Sequence, residues 1–391
     1  MGLQPAAGAR DLNPQQVEVN HQLREKLANV YRLWGYDEVS PPRVERIDTL
    51  MAGGAIDSRD IVRLVAGDPL GLRPEMTASI ARSASNRLSE RPRPLRLWAS
   101  GTVFESHLAD GGGISIEENL QSGVELFGVL DISAEMELLS ILIEAVQKLE
   151  LKSEHKPTLL VGHTGLLDLI LSQCNPHKLD AIRAALIRFD RFALQELNLP
   201  SKEYDQLIKV LEIRGTPKTV TDYLVKEFQL SSPIENLQRL FTQLTPIADK
   251  ESINIQLDPT FQPHFELYTG LVFQLVCQGE SAPVVIARGG RYDGVVARCG
   301  AHPSQAGGAG FSFAIDDIRE LLSRNIKPAR DDSAILVAFS LNSSLEKAFQ
   351  RQKSYHQEGK RAIVELSPCE DSTSAEKLLD QRGCSQLEWL A

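Results

Sequence analysis

The chain has 391 residues, 42% hydrophobic and 24% charged, with a formal net charge of −10. That length accommodates two or three domains, and the acidic balance argues against wholesale nucleic-acid binding, which needs a basic stripe. Cys174, Cys277, Cys299, Cys369 and Cys384 lie far apart, with no C-x-x-C and no His–Cys cluster at metal spacing. They read as reduced cytosolic thiols, and no metal site is indicated.

The N-terminal "MGLQPAAGARDL" has no apolar core and does not read as a signal peptide. Ala6 stands where a myristoylation pattern needs Ser or Thr. No run approaches the roughly 18 apolar residues of a membrane span, so a cytoplasmic chain is expected. A first helix is predicted over residues 14–33, with Asn13 as N-cap and Pro14 in its first position. Leu23, Leu27, Val30 and Tyr31 fall on one face of it, and Gly35 ends it. "YDEVSPPRVERI" follows as a strand stopped by Pro41-Pro42. "DIVRLVAGDPLGLRPEMTASIARSASNRL" reads as strand, turn and strand, then a helix over 76–88. Residues 95–106 alternate like a strand, lead into the glycine run 111–113, and are answered by a returning strand over 120–129. "ISAEMELLSILIEAVQKLEL" is a helix with Ser133 expected as its cap.

From 162 to 249 the pattern becomes helical with proline-marked breaks. "KLDAIRAALIRFDRFALQEL" is expected to be one of the helices there, and the block reads as an insertion into the first domain. Strands resume at "INIQLDP" and "FELYTGLVFQLVCQG". "ARGGRYDGVVARCG", residues 287–300, then reads as a glycine turn set among Arg288, Arg291, Tyr292 and Asp293. After "KPARDD", the last residues give β-α-β-α-β, a small α/β domain with room for about three strands. The expected domains are 1–328, with a helical insertion over about 162–250, and 329–391. Hairpin and returning strands predict an antiparallel α+β sheet without a nucleotide-binding βαβ glycine fingerprint.

Several segments together resemble the catalytic core of class II aminoacyl-tRNA synthetases, and specifically histidyl-tRNA synthetase. "GYDEVSPPRVERIDTL" resembles motif 1, the segment at the family's dimer interface, and "LRPEMTASIAR" matches Leu-Arg-Pro-Glu-x-Thr. "LRLWASGTVFESH" lies where motif 2 lies, with "LQSGVELFG" as its returning strand. "LYTGLVFQ" and "ARGGRYDG" resemble the two segments peculiar to the histidyl enzyme, and "GAGFSFAIDDIREL" lies at motif 3. Six motifs in order cover roughly residues 10 to 325. The resemblance implies a class II synthetase-like antiparallel sheet flanked by helices, and a homodimer through the motif 1 region.

It also implies a histidine site. Glu75, Thr77 and Gln121 match the family's contacts to the ammonium, and Glu125 and Tyr268 its contacts to the imidazole. The Gly-Gly-Arg-Tyr-Asp-Gly segment, with Arg291 and Tyr292, would back the pocket, and Arg291, or a backbone amide of Gly289 or Gly290, is a candidate for the carboxylate. Carboxylates suit an ammonium and fix one ring nitrogen as donor, and a phenol serves either tautomer. Each residue alone is an ordinary solvated or paired polar group; it is their conjunction that points to a site.

The departures from the family are concentrated in its ATP half. Glu105 and His107 stand where motif 2 carries Arg and Glu, Asp317 replaces the motif 3 arginine beside Asp316, and Pro263 stands at the arginine that holds the carboxylate. A unit charge pair at 4 Å is worth about 4 kcal/mol at an effective dielectric of about 20, and adenylation leans on neutralised phosphate oxygens. The chain is therefore expected to bind histidine and to leave it unchanged, with no catalytic residue and no cofactor. This pattern resembles the non-catalytic branch of the family, the regulatory subunits of ATP phosphoribosyltransferase. That likeness implies a short-form catalytic subunit as partner, histidine as effector, no nucleic acid and no membrane. An active histidyl-tRNA synthetase is the disfavoured alternative. A synthetase-like tRNA sensor would need a basic face, and the C-terminal stretch of about 60 residues is reduced against a full anticodon-binding domain.

Overall fold

The computed structural model describes residues 4–52, 59–108, 112–151, 153–229, 232–263, 267–322 and 334–391. Two units divide the chain, Met1–Ser323 and Arg324–Ala391. In the first unit the strands are β1 (Asp37–Glu38), β2 (Val44–Arg46), β3 (Leu70–Leu72), β4 (Leu95–Leu108), β5 (Ile114–Phe127), β6 (Thr158–His163), β7 (Asn254–Leu257), β8 (Leu271–Gln278), β9 (Pro283–Arg291) and β10 (Gly308–Ala314). Eight of them form one sheet in the order β1-β4-β5-β10-β9-β8-β6-β7. The two outermost pairs, β1 with β4 and β6 with β7, are parallel; every other neighbouring pair is antiparallel. This is the α+β, synthetase-like sheet that the sequence implies.

The expected first helix spans Pro14–Leu33 and carries a capping box, in which Asn13 and Gln16 each accept from the other's backbone N–H. It buries Leu23, Leu27, Val30 and Tyr31 against one side of the sheet. Helix Ser133–Lys148 packs on the same side, but Ser133 is its first residue rather than its cap. The cap is supplied by Asp131, whose carboxylate accepts from the Ser133 N–H at 2.8 Å. On the opposite side lies helix Thr77–Ser85, which contributes Ile80, Ala81 and Ala84 to a core with Leu95, Leu97, Val103 and Phe127.

Local departures from the predicted elements have local causes. Pro41-Pro42 splits the expected single strand into β1 and β2, which pair with different partners. "DIVRLV" keeps only a single bridge, Arg63 to Gly71. The expected helix over 178–197 breaks into Leu179–Ile187 and Arg191–Glu196, because Asp190 caps the second by accepting from Ala193 N–H at 2.9 Å. Among the described residues six α-helices run between β6 and β7, from Thr164 to Lys250. Since β6 and β7 are neighbours, the helical block leaves and rejoins the sheet at one edge.

The glycine segment is not a turn. Gly289 and Gly290 lie inside β9, bonded to β10 on one side and β8 on the other, and the chain enters helix Asp293–Arg298 directly afterwards. The apolar run Val284-Val285-Ile286 carries a strand through to the glycines, and two flanking ladders satisfy their backbone. The second unit has β11 (Ile335–Phe339), β12 (Ala362–Val364) and β13 (Gln386–Leu390) in the order β12-β11-β13, all parallel. β11 is buried along its whole length, as a central parallel strand covered on both faces should be.

Candidate functional site

Register decides which side chains meet, because paired residues of an antiparallel sheet share a face and alternate residues along a strand return to it. One row on the side of helix Thr77–Ser85 reads Leu97, Glu125, Gly310, Gly290, Val272. The next reads Ala99, Gly123, Ser312, Arg288, Gln274, and the third Gly101, Gln121, Ala314. The two glycines of the first row make room. A Cβ on Gly310 would stand 1.8 Å from Glu125 Oε2, and one on Gly290 2.6 Å from the Tyr268 ring. The Gly-Gly signal in the sequence therefore marks close side-chain approach to a sheet floor.

Helix Thr77–Ser85 lowers its N-terminus onto that row. Thr77 Oγ1 donates to Glu125 Oε1 at 2.7 Å, and the Tyr292 hydroxyl donates to Glu125 Oε2. Glu75 Oε1 accepts from Ala78 N–H at 2.9 Å. Among the described residues neither carboxyl forms an ion pair. Burial pushes Glu125 up to about 8, against the pull of its Tyr292 and Thr77 hydrogen bonds, and the nearby Glu75 charge adds to the rise. Burial likewise raises Glu75, and both tyrosines rise through burial and the charges of Glu125 and Glu75. Buried carboxyls without a paired cation among the described residues favour a ligand that brings positive charge. With two carboxyls, two phenols and a hydroxyl, the cluster suits a small organic cation bearing N–H donors.

Five of the seven sequence-predicted residues, Glu75, Thr77, Glu125, Tyr268 and Tyr292, thus converge. Gln121 shares their face two rows along, about 13 Å of strand from Glu125. Arg291 does not join them. It follows Gly290 and so points to the other side of the sheet, where its Nε and Nη2 grip both Glu135 oxygens at 2.6 and 2.7 Å. Its remaining N–H groups reach Val129 O, Asp131 O and Asp293 Oδ1 at 2.9, 2.9 and 3.2 Å. All five donors are spent on a clamp that is 7% exposed, so the expectation that Arg291 backs the pocket or takes a carboxylate is corrected. The cation that faces the site is Arg288, which the turn reading left without a side. It is exposed and has no hydrogen bond or ion pair among the described residues. Strand alternation, Arg288 and Gly290 on one face and Arg291 on the other, is the signal that finds it.

Further along the same face the chemistry changes. Glu105 and His107 continue the row parity of Gly101, with Glu117 opposite Glu105. His107 Nε2 lies 3.5 Å from Glu105 and 4.0 Å from Glu117. Asp316 is used internally, accepting from Leu120 N–H at 2.7 Å and from Arg319, while Asp317 is exposed. Pro263 closes a described segment beside residues 264–266, which lie outside the described residues. No group of three or more His, Cys, Asp or Glu among the described residues is placed to hold a metal ion. No described helix is long and apolar enough to cross a membrane.

A family model described as histidyl-tRNA synthetase matches residues 8–318, and solved structures agree on the fold. An ATP phosphoribosyltransferase regulatory subunit/histidyl-tRNA synthetase from Bacillus halodurans C superposes with TM-score 0.82 at 23% identity, over 100% of this chain and 98% of that one. Histidyl-tRNA synthetase from Nostoc sp. PCC 7120 does so with TM-score 0.77 at 16% identity, over 98% and 91%. The class is thus histidyl-tRNA synthetase-like. Proteins called ATP phosphoribosyltransferase regulatory subunit are 62% identical in Prochlorococcus marinus (strain MIT 9313) and 60% identical in Synechococcus sp. (strain CC9902), each over the full length of both chains. The chain belongs to the family of ATP phosphoribosyltransferase regulatory subunits, within the histidyl-tRNA synthetase-like proteins.

Proposed function

We propose that this chain has no catalytic activity of its own, and that it binds L-histidine at the Glu75–Thr77–Gln121–Glu125–Tyr268–Tyr292 face. In this function it activates a short-form ATP phosphoribosyltransferase catalytic subunit in the cytoplasm and passes feedback by histidine to it. A homodimer through the motif 1 region, residues 35–50, is part of the proposal, as is a fold divided into a synthetase-like domain over 1–328 and a reduced domain over 329–391. One contrast carries the proposal: an uncompensated acidic cluster suited to a cationic amino acid survives intact beside a stretch that offers a triphosphate Glu105, Glu117 and Asp317. A protein that binds an effector without transforming it acts by shifting populations of an assembly. That shift is bounded by the effector's difference in affinity between the two states, typically about 1–3 kcal/mol.

The test mixes this chain with its short catalytic subunit. The catalytic subunit alone should be nearly inactive, become active on mixing, and be inhibited by histidine in the mixture. Glu75→Ala should leave activation in place while weakening inhibition several-fold. Unchanged inhibition would move the effective histidine site to the catalytic subunit.

A further inference from the structure

An amino acid brings two charges to a site, and the cluster around Glu125 accounts for one. Its carboxylate cannot sit against Glu75 or Glu125, and a buried or half-buried carboxylate without a cation or donors is costly. On this side of the sheet Arg73, Arg82 and Arg288 bear on the choice. Arg73 is committed: its Nε donates to Thr102 O at 3.0 Å and its Nη1 to Pro41 O at 2.6 Å, and its guanidinium rests where a Gly101 side chain would be. Arg82 is paired with Glu45 at 2.7 Å. Arg288 is uncommitted among the described residues.

Its position is also right. Arg288 occupies the row between that of Glu125 and that of Gln121, and is opposite Ser312, with Gly123 next across the sheet. Two strand spacings, about 10 Å, separate it from the strand that carries Glu125. The floor positions between them, Ser312, Gly123, Gly310 and Gly290, are all small, and the Tyr268 ring lies over Gly290 beside Arg288. Arg288 is near enough to Tyr268 for its charge to oppose the rise of that phenol, and it acts in the same way on Asp317. It thus stands at the boundary between the amino-acid half of the face and the acidic half.

We propose that Arg288 takes the carboxylate of the amino acid bound by the Glu75–Glu125–Tyr268 cluster, in a chain whose position 263 offers only a proline. The proposal rests on the reading of that cluster as an amino-acid receptor. Arg288 is then the residue that separates an amino acid from the corresponding amine. A guanidinium fits a carboxylate with two parallel bonds, which a lysine ammonium cannot reproduce.

Titration calorimetry with L-histidine and with histamine, which keeps the ammonium and ring but lacks the carboxylate, tests this. The parent chain should prefer histidine. Arg288→Ala should lose about 10–100-fold in histidine affinity while histamine binds as before, and Arg288→Lys should fall between. Because the side chain is exposed, both variants should melt with the parent, and coincident melting curves are recorded as the fold control. If Arg288→Ala binds histidine within about two-fold of the parent, or loses histamine equally, the assignment of Arg288 is overturned and the cluster stands. If the parent binds neither ligand, the amino-acid reading of the cluster falls, and this assignment with it.

Discussion

Two stretches of one sheet face, centred on Glu125 and on Glu105, show what anchors a site in a fold. Glu125 is buried, and it is wired to Thr77 and Tyr292 from two other elements, with Gly310 cleared for its carboxyl. Glu105, His107 and Glu117 leave 40%, 47% and 51% of their side chains open to solvent. Changing the first disturbs a core; changing the second costs almost nothing in stability, since exposed pairs contribute about 0–1 kcal/mol. The carboxyl cluster is therefore held by packing, whereas the stretch around Glu105 is exposed and accepts acids without unfolding the chain.

The largest expected effect lies in the stretch around Glu105. Replacing attraction of phosphate by repulsion at two positions removes about 8 kcal/mol or more, some six orders of magnitude in rate. Histidine-dependent ATP–pyrophosphate exchange by this chain alone should not rise above a Glu75→Ala control; a clear excess would break the comparison and restore the synthetase reading.

Next in size is the clamp on the far side of the sheet. Arg291→Ala leaves Glu135 buried without its partner, at a cost of about 3–5 kcal/mol in denaturant unfolding. The milder Arg291→Lys should retain histidine affinity within about two-fold. Loss of binding in a folded Arg291→Lys chain would put that arginine back in the site.

Smallest in each step, about 1.4 kcal/mol per pH unit, and most diagnostic of the buried half is pH dependence. Glu125 has a folded pKa of about 8 against about 4.3 unfolded, so between those values the folded chain holds a proton that the unfolded chain has lost. Its contribution to the stability of the empty chain is fully present below about pH 4.3 and disappears as pH rises through 8. A cationic ligand prefers the ionised carboxyl and must expel that proton. Histidine affinity should thus climb by up to tenfold per pH unit toward pH 8, with proton release seen as buffer-dependent calorimetric heat. Glu125→Gln should flatten both slopes, and a pH-independent affinity in the parent would show Glu125 already ionised.

Much of this was legible in sequence where one period dominated. Asn13, Pro14 and Gly35 marked the ends of helix Pro14–Leu33, and strands expected over 95–106 and 120–129 around the glycine run placed the hairpin that carries Gln121 and Glu125, which the structure extends to Leu95–Leu108 and Ile114–Phe127. Legibility failed where a local signal and a long-range one disagreed. Gly289-Gly290 carries every mark of a turn, and only pairing with two distant strands makes it a strand; with that error went the sidedness of Arg288 and Arg291. Ser133 looks like a cap until Asp131, two residues upstream, takes the amide first. The helix break at Asp190 is of the same kind, a short-range capping bond outcompeting an apolar pattern that runs past it.

The insertion at the sheet edge has a consequence for the chain while it is being made. β6, "TLLVGH", finds its partners only in β7 and β8, and more than 90 residues separate Thr158 from Asn254. At about 5–20 residues per second, that strand leaves the ribosome with both edges bare for roughly 5–20 s. A naked apolar strand invites pairing with a neighbouring nascent chain. The six α-helices described between Thr164 and Lys250 are all made in that interval, and they rest on contacts closer in sequence than any pairing of β6. At this edge of the sheet the order of synthesis and the order of pairing lie far apart, and β6 must wait for Asn254 before its first ladder can close.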